Sequence, residues 1–265
     1  MAIDLVVYGA DGRMGRRVVA LAWEDPRFNL VGAIDREDSS NIGKDVGIIA
    51  QVGEIGLLLQ SDFNLQTQQV VIDFSSPQSL ENLLPKAISS GTSIVSGTTG
   101  LSDNQLESLK EASKHSAILH SPNMSVGVNL LLLLAAQMTR LAGDDFEVEI
   151  FEAHHRFKKD APSGTALKLG EVIAKARDQK LADIAKYDRT QSNVARKREE
   201  IGIQSMRAGD IVGEHTAFFS TEGERIELTH RATSRDIFVR GALKAAYWLS
   251  QQTVGFYSMS DFLGF

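Results

Sequence analysis

Short apolar runs alternate with longer amphipathic segments over the first 120 residues of the chain. The apolar runs are rich in β-branched residues and have the pattern of strands buried on both faces; they are 3–8, 30–34, 70–74, 92–96 and 117–120. The segments with apolar residues at helical spacing are 13–22, 76–90 and 102–114. This alternation predicts an α/β fold with a Rossmann-like, doubly wound parallel sheet. Residues 38–66 show no clear period and predict no regular element.

The pattern changes near residue 125. Residues 128–141 are apolar almost all round, which predicts a buried helix. Further strands are predicted at 146–153, 201–207, 214–220 and 224–230, and further helices at 163–177 and 234–250. The consecutive strands predict a second, α+β module with a mixed sheet. Residues 180–198 are polar and weakly patterned, which predicts a mobile loop.

Composition narrows the class of protein. The chain has 265 residues, 43% hydrophobic and 23% charged, as expected for one large or two small globular domains. Its net charge of -6 argues against a nucleic-acid partner. The longest apolar run, 130–136, is too short to span a bilayer, so no membrane contact is expected. The absence of cysteine excludes disulfides, thiolate nucleophiles and cysteine-ligated metals, and fits a cytoplasmic location.

A glycine-rich turn follows the first predicted strand. Gly9, Gly12 and Gly15 form a GxxGxxG pattern, in which glycines let the backbone approach a pyrophosphate at a helix N-terminus. Asp35 ends the second strand, where an acid binds ribose hydroxyls. The spacing is looser than the usual GxGxxG, and a turn without a ligand is the alternative, but the strand, the helix and the acid favour a dinucleotide site. The predicted cofactor residues here are Gly9, Ala10, Asp11, Gly12, Arg13, Met14, Gly15 and Asp35.

The end of the second strand has residues suited to either form of the dinucleotide. Asp35 favours NADH because it repels a 2′-phosphate, whereas the adjacent Arg36 can pair with that phosphate of NADPH, so we expect both to be used. Two loops follow later strands of the sheet and are placed to contact the nicotinamide, although ordinary turn chemistry explains any single residue in them equally well. Their predicted cofactor residues are Gly97, Thr98 and Thr99 in one loop and Ser121, Pro122, Asn123 and Met124 in the other.

The stretch 152–165 concentrates reactive side chains. His154 and His155 are adjacent, and Lys158 follows them; an imidazole can deliver a proton near neutral pH, and an ammonium group fixes an anion. The sequence Ser163-Gly164-Thr165 stands where a helix begins and can hold a carboxylate. A lone histidine is usually structural, but this cluster predicts a site that protonates a small acidic substrate. Adjacent histidines lack the helical spacing of metal ligands, so no metal is expected.

These residues carry a resemblance to a known family. The pattern His-His-x-x-Lys-x-Asp-x-Pro-Ser-Gly-Thr resembles the signature of 4-hydroxy-tetrahydrodipicolinate reductases, historically dihydrodipicolinate reductases, of lysine and diaminopimelate biosynthesis. The similarity also covers 9–16, 97–100, 123–129 and 207–215, together with His230 and Ser234-Arg235. The resemblance implies a dinucleotide-binding domain over 1–125 and 235–265, and a substrate domain over 126–234 that also forms a homotetramer.

The resemblance also implies roles for single residues. His154 is the acid, and Lys158 binds the dicarboxylate substrate and supports proton delivery. His155, Ser163, Gly164, Thr165 and Thr99 contact the substrate, and Asp35 and Arg36 contact the adenosine ribose. The reaction that the resemblance implies is the NAD(P)H-dependent reduction of 4-hydroxy-tetrahydrodipicolinate to tetrahydrodipicolinate. It proceeds through dihydrodipicolinate, with loss of water.

Two rival functions share part of this pattern. Another NAD(P)-linked reductase, such as a homoserine-type or amino-acid dehydrogenase, would share the region from Gly9 to Asp35 and differ in the second half. A nucleotide-sensing protein would keep the dinucleotide site without catalysis. The set of His154, Lys158 and Ser163-Gly164-Thr165 argues against both.

Overall fold

The computed structural model describes residues 2–190 and 193–265. Two compact units are present, Met1–Val126 with Asp236–Phe265, and Gly127–Arg235. In chain order the elements are β1 Ile3–Tyr8, α1 Arg13–Trp23, β2 Phe28–Ile34, α2 Val46–Ala50, β3 Val70–Asp73, α3 Pro77–Ser90, β4 Ser93–Ser96, α4 Asp103–Ala112, β5 Ala117–His120, α5 Val126–Ala142, β6 Glu147–His154, α6 Gly164–Ala176, α7 Leu181–Ile184, β7 Ala185–Lys186, β8 Ile201–Arg207, β9 Gly213–Thr221, β10 Glu224–Ala232, α8 Asp236–Leu249, β11 Gly255–Tyr257 and α9 Met259–Leu263. The dinucleotide-binding role predicted for 1–125 and 235–265 and the substrate-binding role predicted for 126–234 remain predictions.

The first unit contains a six-stranded sheet in the order β11-β5-β4-β3-β1-β2, with every adjacent pair parallel. Successive residues of β1 enter opposite cores: Leu5 and Val7 join a cluster with α1 and α8, whereas Val6 joins a cluster with α3 and α4. Both faces are therefore covered, and the predicted doubly wound fold is confirmed. The chain reverses direction across the sheet between β1 and β3, and ligands of such folds bind at the carboxyl ends of those strands.

Two features of this unit were not predicted. Residues 38–66 contain the short helix α2, which Asp45 caps through Gly47 N–H and Ile48 N–H. The C-terminal segment adds β11 as the edge strand beside β5, followed by α9. These three elements have only three to five residues each, too few to show a period.

The second unit contains the predicted mixed sheet, in the order β10-β9-β6-β8-β7. Strand β6 is parallel to β8 and antiparallel to β9. One face of the sheet, which includes Val148 and Ile150 of β6, packs against Leu131 and Ala135 of α5 and Leu169 and Ile173 of α6. This face forms the core of the unit.

Two predictions for this unit were wrong in part. Helix α5 is not buried all round: Val128, Leu131 and Ala135 face inward, whereas Leu134 and Leu141 are exposed, because only one side of the helix meets the sheet. The predicted loop 180–198 contains α7 and β7, since Ile184 is buried against the core and Ala185 pairs with Ile201. Residues 191 and 192 of that loop lie outside the described residues.

Helix α5 and the turn after it also bear on membrane contact. The 20-residue stretch Val126–Asp145 is long and apolar enough to cross a membrane by length and composition, and within the described residues it is the one stretch of which this is true. The uninterrupted apolar run 130–136, on which the prediction of no membrane contact was based, is shorter than this apolar helical stretch. Core helices have the same composition, so the finding is weak support for a membrane span.

Candidate active site

The glycine turn after β1 has the geometry of a phosphate-binding turn. Gly9 has φ +81°, and a side chain there would also meet the carbonyl oxygen of Phe74 at 2.8 Å. A Cβ at Gly15 would stand 2.0 Å from the carbonyl oxygen of Gly9, so only glycine lets α1 pack this closely on the turn. Gly12 is the N-cap of α1 and has no side chain to satisfy the first N–H groups of the helix. The turn and the helix N-terminus therefore fit a pyrophosphate.

Asp35 is held at the end of β2 by the same turn. Its Oδ2 accepts a hydrogen bond from Asp11 N–H at 2.7 Å, and its Oδ1 accepts from Arg36 N–H at 2.8 Å. A carboxylate has about four acceptor positions, so it can still bind ribose hydroxyls. The Asp11 carboxylate accepts from Ser39, Asn41 and Arg16, and these bonds lower its pKa despite partial burial. The Asp11 side chain thus holds the loop that contains Ser39 and Asn41 against the glycine turn.

A cavity of about 880 Å³ opens at the carboxyl ends of β1, β2 and β3. It is lined by the predicted residues Gly9, Asp11, Gly12, Asp35 and Arg36, and also by Tyr8, Glu37, Asp38, Ser39, Ser40, Ser61, Phe74, Ser75, Ser76, Ser79, Asn82 and Lys86. Its volume is within the range of small-molecule and cofactor sites, and its glycine turn and terminal acid match the two ends of an adenosine diphosphate moiety. The residues present therefore fit a nicotinamide dinucleotide. The serines after β3 had no signal in the sequence that distinguished them from a turn.

The charges at the end of the cavity beside Asp35 are mostly negative. Arg36, which was predicted to pair with a 2′-phosphate, lies 3.6 Å from the Asp38 carboxylate, and both side chains are exposed. Lys86 pairs with Asp62. The cavity is therefore lined by three carboxylates, those of Asp35, Glu37 and Asp38. The two cations that line it, Arg36 and Lys86, already have carboxylate partners.

The loop after β4 commits two predicted cofactor residues, Gly97 and Thr98, to structural contacts. The Thr98 hydroxyl donates to buried Asp73 at 2.8 Å and accepts from Ser75 N–H at 3.1 Å. Burial raises the pKa of Asp73, although Ser75, Ser96 and Thr98 donate to it. A Cβ at Gly97 would stand 2.3 Å from the ring of Phe74. These contacts hold the loop after β4 against the end of β3 and the residues that follow it.

The remaining predicted residues of the first unit have different environments. Thr99 and Pro122 are exposed, and Arg13 is exposed at the start of α1. Ala10, Met124 and part of Met14 pack in the core, so any contact of Met124 with a cofactor would use its backbone. Ser121 and Asn123 form a turn in which Ser121 Oγ donates to the Asn123 carbonyl at 2.9 Å.

In the second unit, the core face of β6 becomes polar at its carboxyl end. Side chains alternate along a strand, so Glu152 and His154 lie on the same face as Val148 and Ile150. The neighbouring strands place Ser205 of β8 and His215 of β9 beside Glu152, and Arg207 beside His154. A cluster of charged and polar groups therefore closes the apolar core.

Glu152 is fully buried, and hydrogen-bond donors surround its carboxylate. Its Oε2 lies 2.6 Å from His154 Nδ1, and its Oε1 accepts from Ser163 N–H at 3.1 Å. Arg207 donates to the two oxygens at 2.8 and 2.7 Å. Burial opposes ionisation, but hydrogen bonds from Arg207, Ser205, His154 and Ser163 lower the pKa of Glu152 to about 2. Glu152 is therefore ionised at neutral pH.

His154 is nearly buried, and its environment disfavours the charged form. Burial lowers the pKa of His154, and the cations Lys158 and Arg207 lower it further, while Glu152 acts in the opposite direction. The His215 ring lies edge-on to His154 with centroids 5.2 Å apart. An imidazolium at His154 is consequently a stronger acid than ordinary histidine, which suits proton donation.

The start of α6 is joined to this cluster through Ser163. Ser163 is the N-cap, and its Oγ accepts from Ala166 N–H at 3.2 Å and lies 3.0 Å from His215 Nε2. Burial, and then the nearby His154, lowers the pKa of His215 to about 4. Because Ser163 is itself buried, Gly164 and Thr165 are the more accessible part of the predicted carboxylate site.

Two predicted residues lie at the edge of the cluster. Lys158 forms an ion pair with Asp160 at 2.9 Å. His155 points away from the core face: its Nε2 lies 3.3 Å from a guanidinium nitrogen of Arg235, which can only donate, so His155 Nε2 is the acceptor. No role was predicted from the sequence for Glu152, Arg207, Gly213 and His215, although they lie in the stretches 152–165 and 207–215 that carry the family resemblance. Period-two alternation also places Glu152 on the same face as His154.

The fold and the site are those of a nicotinamide-dinucleotide-dependent oxidoreductase. Residues 3–124 match the family model of the dihydrodipicolinate reductase N-terminus, and residues 127–263 match that of its C-terminus. The chain therefore belongs to the dihydrodipicolinate reductase family, which confirms the resemblance. Its cofactor is NADH or NADPH.

Individual relatives agree with this assignment. The chain is 47% identical over 262 residues to the 4-hydroxy-tetrahydrodipicolinate reductase of Hahella chejuensis, covering 98% of both chains. It is 44% identical over 265 residues to that of Colwellia psychrerythraea, covering 100% of this chain and 99% of the relative. A solved structure, dipicolinate-bound dihydrodipicolinate reductase from Paenisporosarcina sp. TG-14, is similar in fold, with a TM-score of 0.77 at 22% identity and coverage of 97% and 98%.

Proposed function

We propose that the chain reduces 4-hydroxy-tetrahydrodipicolinate, with loss of water and through dihydrodipicolinate, to tetrahydrodipicolinate in lysine and diaminopimelate biosynthesis. The observation that carries this proposal is the buried His154 beside Lys158 and the N-terminus of α6, in a chain whose other unit fits a dinucleotide. A sensor without catalysis has no use for such an acid. Full-length relatives with this named activity support the same substrate over that of other reductases.

The chain's own residues supply binding and proton delivery. The N-terminus of α6 and the Lys158 ammonium bind the substrate carboxylates, with contributions from His155 and Thr99. Lys158 exchanges its Asp160 partner for a carboxylate of the substrate. His154 delivers a proton from Nε2, because Nδ1 is held by Glu152. The bound NAD(P)H supplies the hydride, which reduces ring carbon C4.

In the first unit, the residues around the cavity orient the dinucleotide. The Gly9 to Gly15 turn receives the pyrophosphate, and Asp35 and Arg36 bind the adenosine ribose. The loops 97–99 and 121–124 border the nicotinamide. The hydrogen bond of Thr98 to Asp73 and the packing of Met124 in the core fix the positions of the two loops.

We propose further that the chain acts as a cytoplasmic homotetramer without a nucleic-acid or membrane partner. In the described part of the second unit, α5 and α6 cover one face of the sheet, and the other face presents partly exposed Phe151, Met206 and Phe218. An open sheet face with aromatic residues is typical of an interface. Sedimentation equilibrium should give four times the chain mass of 28.9 kDa, and a monomer would contradict the proposal.

The catalytic role of His154 is tested by His154→Gln. General acid catalysis contributes about 10²–10⁴-fold, so kcat should fall within that range. The dissociation constant for NADH, measured by calorimetry, should not change, because His154 belongs to the other unit. His115→Gln, at an exposed histidine, is the matched control. Nearly normal turnover of His154→Gln would remove His154 from the reaction.

A further inference from the structure

One buried carboxylate contacts both functional parts of the second unit. Glu152 accepts from His154 through Oε2 and from Ser163 N–H, at the start of α6, through Oε1. Arg207 contacts the same two oxygens from the adjacent strand. The imidazole and the N-terminus of α6 are thus fixed relative to each other by a single side chain with no exposed surface.

The hydrogen-bonding capacity of these groups determines where the imidazole proton lies. An ionised carboxylate can only accept, so His154 Nδ1 must carry a proton in both the neutral and the charged ring. The proton that is gained and lost is therefore on Nε2. The Nε2 atom lies toward Gly213, whose missing side chain leaves space beside it.

We propose that Glu152, salt-bridged to Arg207, is a positioning residue that fixes His154 with a proton on Nδ1 and leaves Nε2 as the only nitrogen that transfers a proton to substrate. The inference rests on the proposed function, because it assigns the means by which His154 serves as the acid. Glu152 itself does not touch the substrate; its effect passes through His154.

The charged groups that face His154 shift its pKa in opposite directions. Arg207 on β8, Lys158 in the following loop and His215 on β9 are the nearby groups that disfavour an imidazolium when they are charged. Asp160 offsets Lys158 by forming an ion pair with it. Glu152 is the remaining anion, and it is in direct contact. Loss of its charge should move the pKa of His154 downward by about 1–3 units, the usual effect of one close opposite charge.

The substitution Glu152→Gln tests the role with nearly the same shape. If the glutamine NH₂ replaces Oε2, it donates to His154 Nδ1, but it also faces one N–H donor, that of Arg207, without an acceptor between them. If the NH₂ replaces Oε1, it opposes two donors, Ser163 N–H and Arg207. The first orientation is favoured, and it moves the ring proton of neutral His154 from Nδ1 to Nε2.

The direct measurement is the ¹⁵N spectrum of the full chain labelled at histidine, recorded by solid-state NMR. The chain has six histidines, and the His154 signals are assigned by their loss in His154→Gln. The unsubstituted chain should show neutral His154 protonated on Nδ1, and Glu152→Gln should show it protonated on Nε2. This readout requires neither substrate nor cofactor, so it separates this inference from the proposed reaction.

Kinetics gives the second readout. In Glu152→Gln the descending limb of kcat/KM against pH should shift to lower pH by about 1–3 units, and kcat near pH 7 should fall about 10–100-fold. The KM for NADH should stay the same. Glu149→Gln is the matched control, because Glu149 is on the same strand and pairs with Arg189 and Arg196 on the opposite face. It should leave both readouts unchanged.

Removal of Glu152 alone leaves Arg207 without its carboxylate partner, so the double variant Glu152→Gln/Arg207→Met is used if the single variant does not fold. In the double variant the preferred glutamine orientation opposes no donor, and the same tautomer change is expected. A proton on Nε2 in the unsubstituted chain would overturn the proposal. An unchanged tautomer, or an unchanged pH profile, in the folded variant would do so too. An unsubstituted chain that shows the Nδ1 proton but no reductase activity would refute the proposed function alone.

Discussion

Gly213 begins strand β9 beside the end of β6, and a Cβ built on it would stand 3.0 Å from Nε2 of His154. The position next to this nitrogen is therefore free of side-chain atoms. A glycine here has no backbone requirement, since its φ is not in the left-handed region. Its importance follows from the space that the imidazole needs.

We expect Gly213→Ala to reduce turnover while the protein stays folded. The added methyl group meets the imidazole at 3.0 Å and must displace it. The shift needed is a few tenths of an ångström. Because a displacement of about 1 Å at a reacting group can cost about 100-fold in rate, we predict a smaller fall in kcat, of about 3–10-fold. Ser220→Ala, near the other end of the same strand, is the control. Steady-state kinetics and thermal unfolding check the prediction; unchanged kcat would show that the space beside Nε2 is not required.

The lowered pKa of His215 predicts how the free energy of unfolding depends on pH. This pKa is about 4 in the folded chain and about 6.5 when unfolded, so between these values the unfolded chain binds more protons. The contribution of His215 to stability is complete above pH 6.5 and is lost as the pH falls toward 4, by about 3 kcal/mol. His215→Asn should remove this part of the pH dependence, whereas exposed His115→Asn should not. Urea unfolding at fixed protein concentration from pH 7 to 4 measures it, and identical slopes for both variants would contradict the assignment.

Asp38 predicts the balance between the two cofactors. Its carboxylate is 3.6 Å from the guanidinium of Arg36, the group predicted to pair with a 2′-phosphate. Asp38→Asn should release Arg36 and lower the KM for NADPH about 2–5-fold, the size of an exposed ion pair, with little change for NADH. Asp103→Asn removes an equal charge from exposed helix α4 and serves as the control. Equal effects of the two substitutions on NADPH would mean that only net charge matters.

Much of the fold could be predicted from the sequence because its strands and helices have strong periods. Strand β1 and strand β5 have the predicted bounds, and the Ser76-Pro77 signal marks the start of α3 as expected. The elements that were missed, α2, β11 and α9, are too short for a period to appear. Helix α5 was misjudged because an all-apolar composition does not show which side meets the sheet.

The site could be predicted only where its residues are adjacent in sequence. The stretch 152–165 contains His154, Lys158 and Ser163 within one segment, and the glycine turn is equally local. Arg207, Gly213 and His215 reach the same place through strand pairing, which a single sequence does not specify. Asp38 was not noticed because its meaning depends on the position of the Arg36 side chain.

The most direct test of the central claim is a coupled assay in which 4-hydroxy-tetrahydrodipicolinate is made fresh by an upstream synthase and the loss of reduced cofactor is followed. Within the proposed function, the chain should oxidise NADH or NADPH only when this compound is present, and His154→Gln should be slower by about 10²–10⁴-fold. Purified protein that leaves the compound unchanged while it reduces an unrelated metabolite would contradict the account.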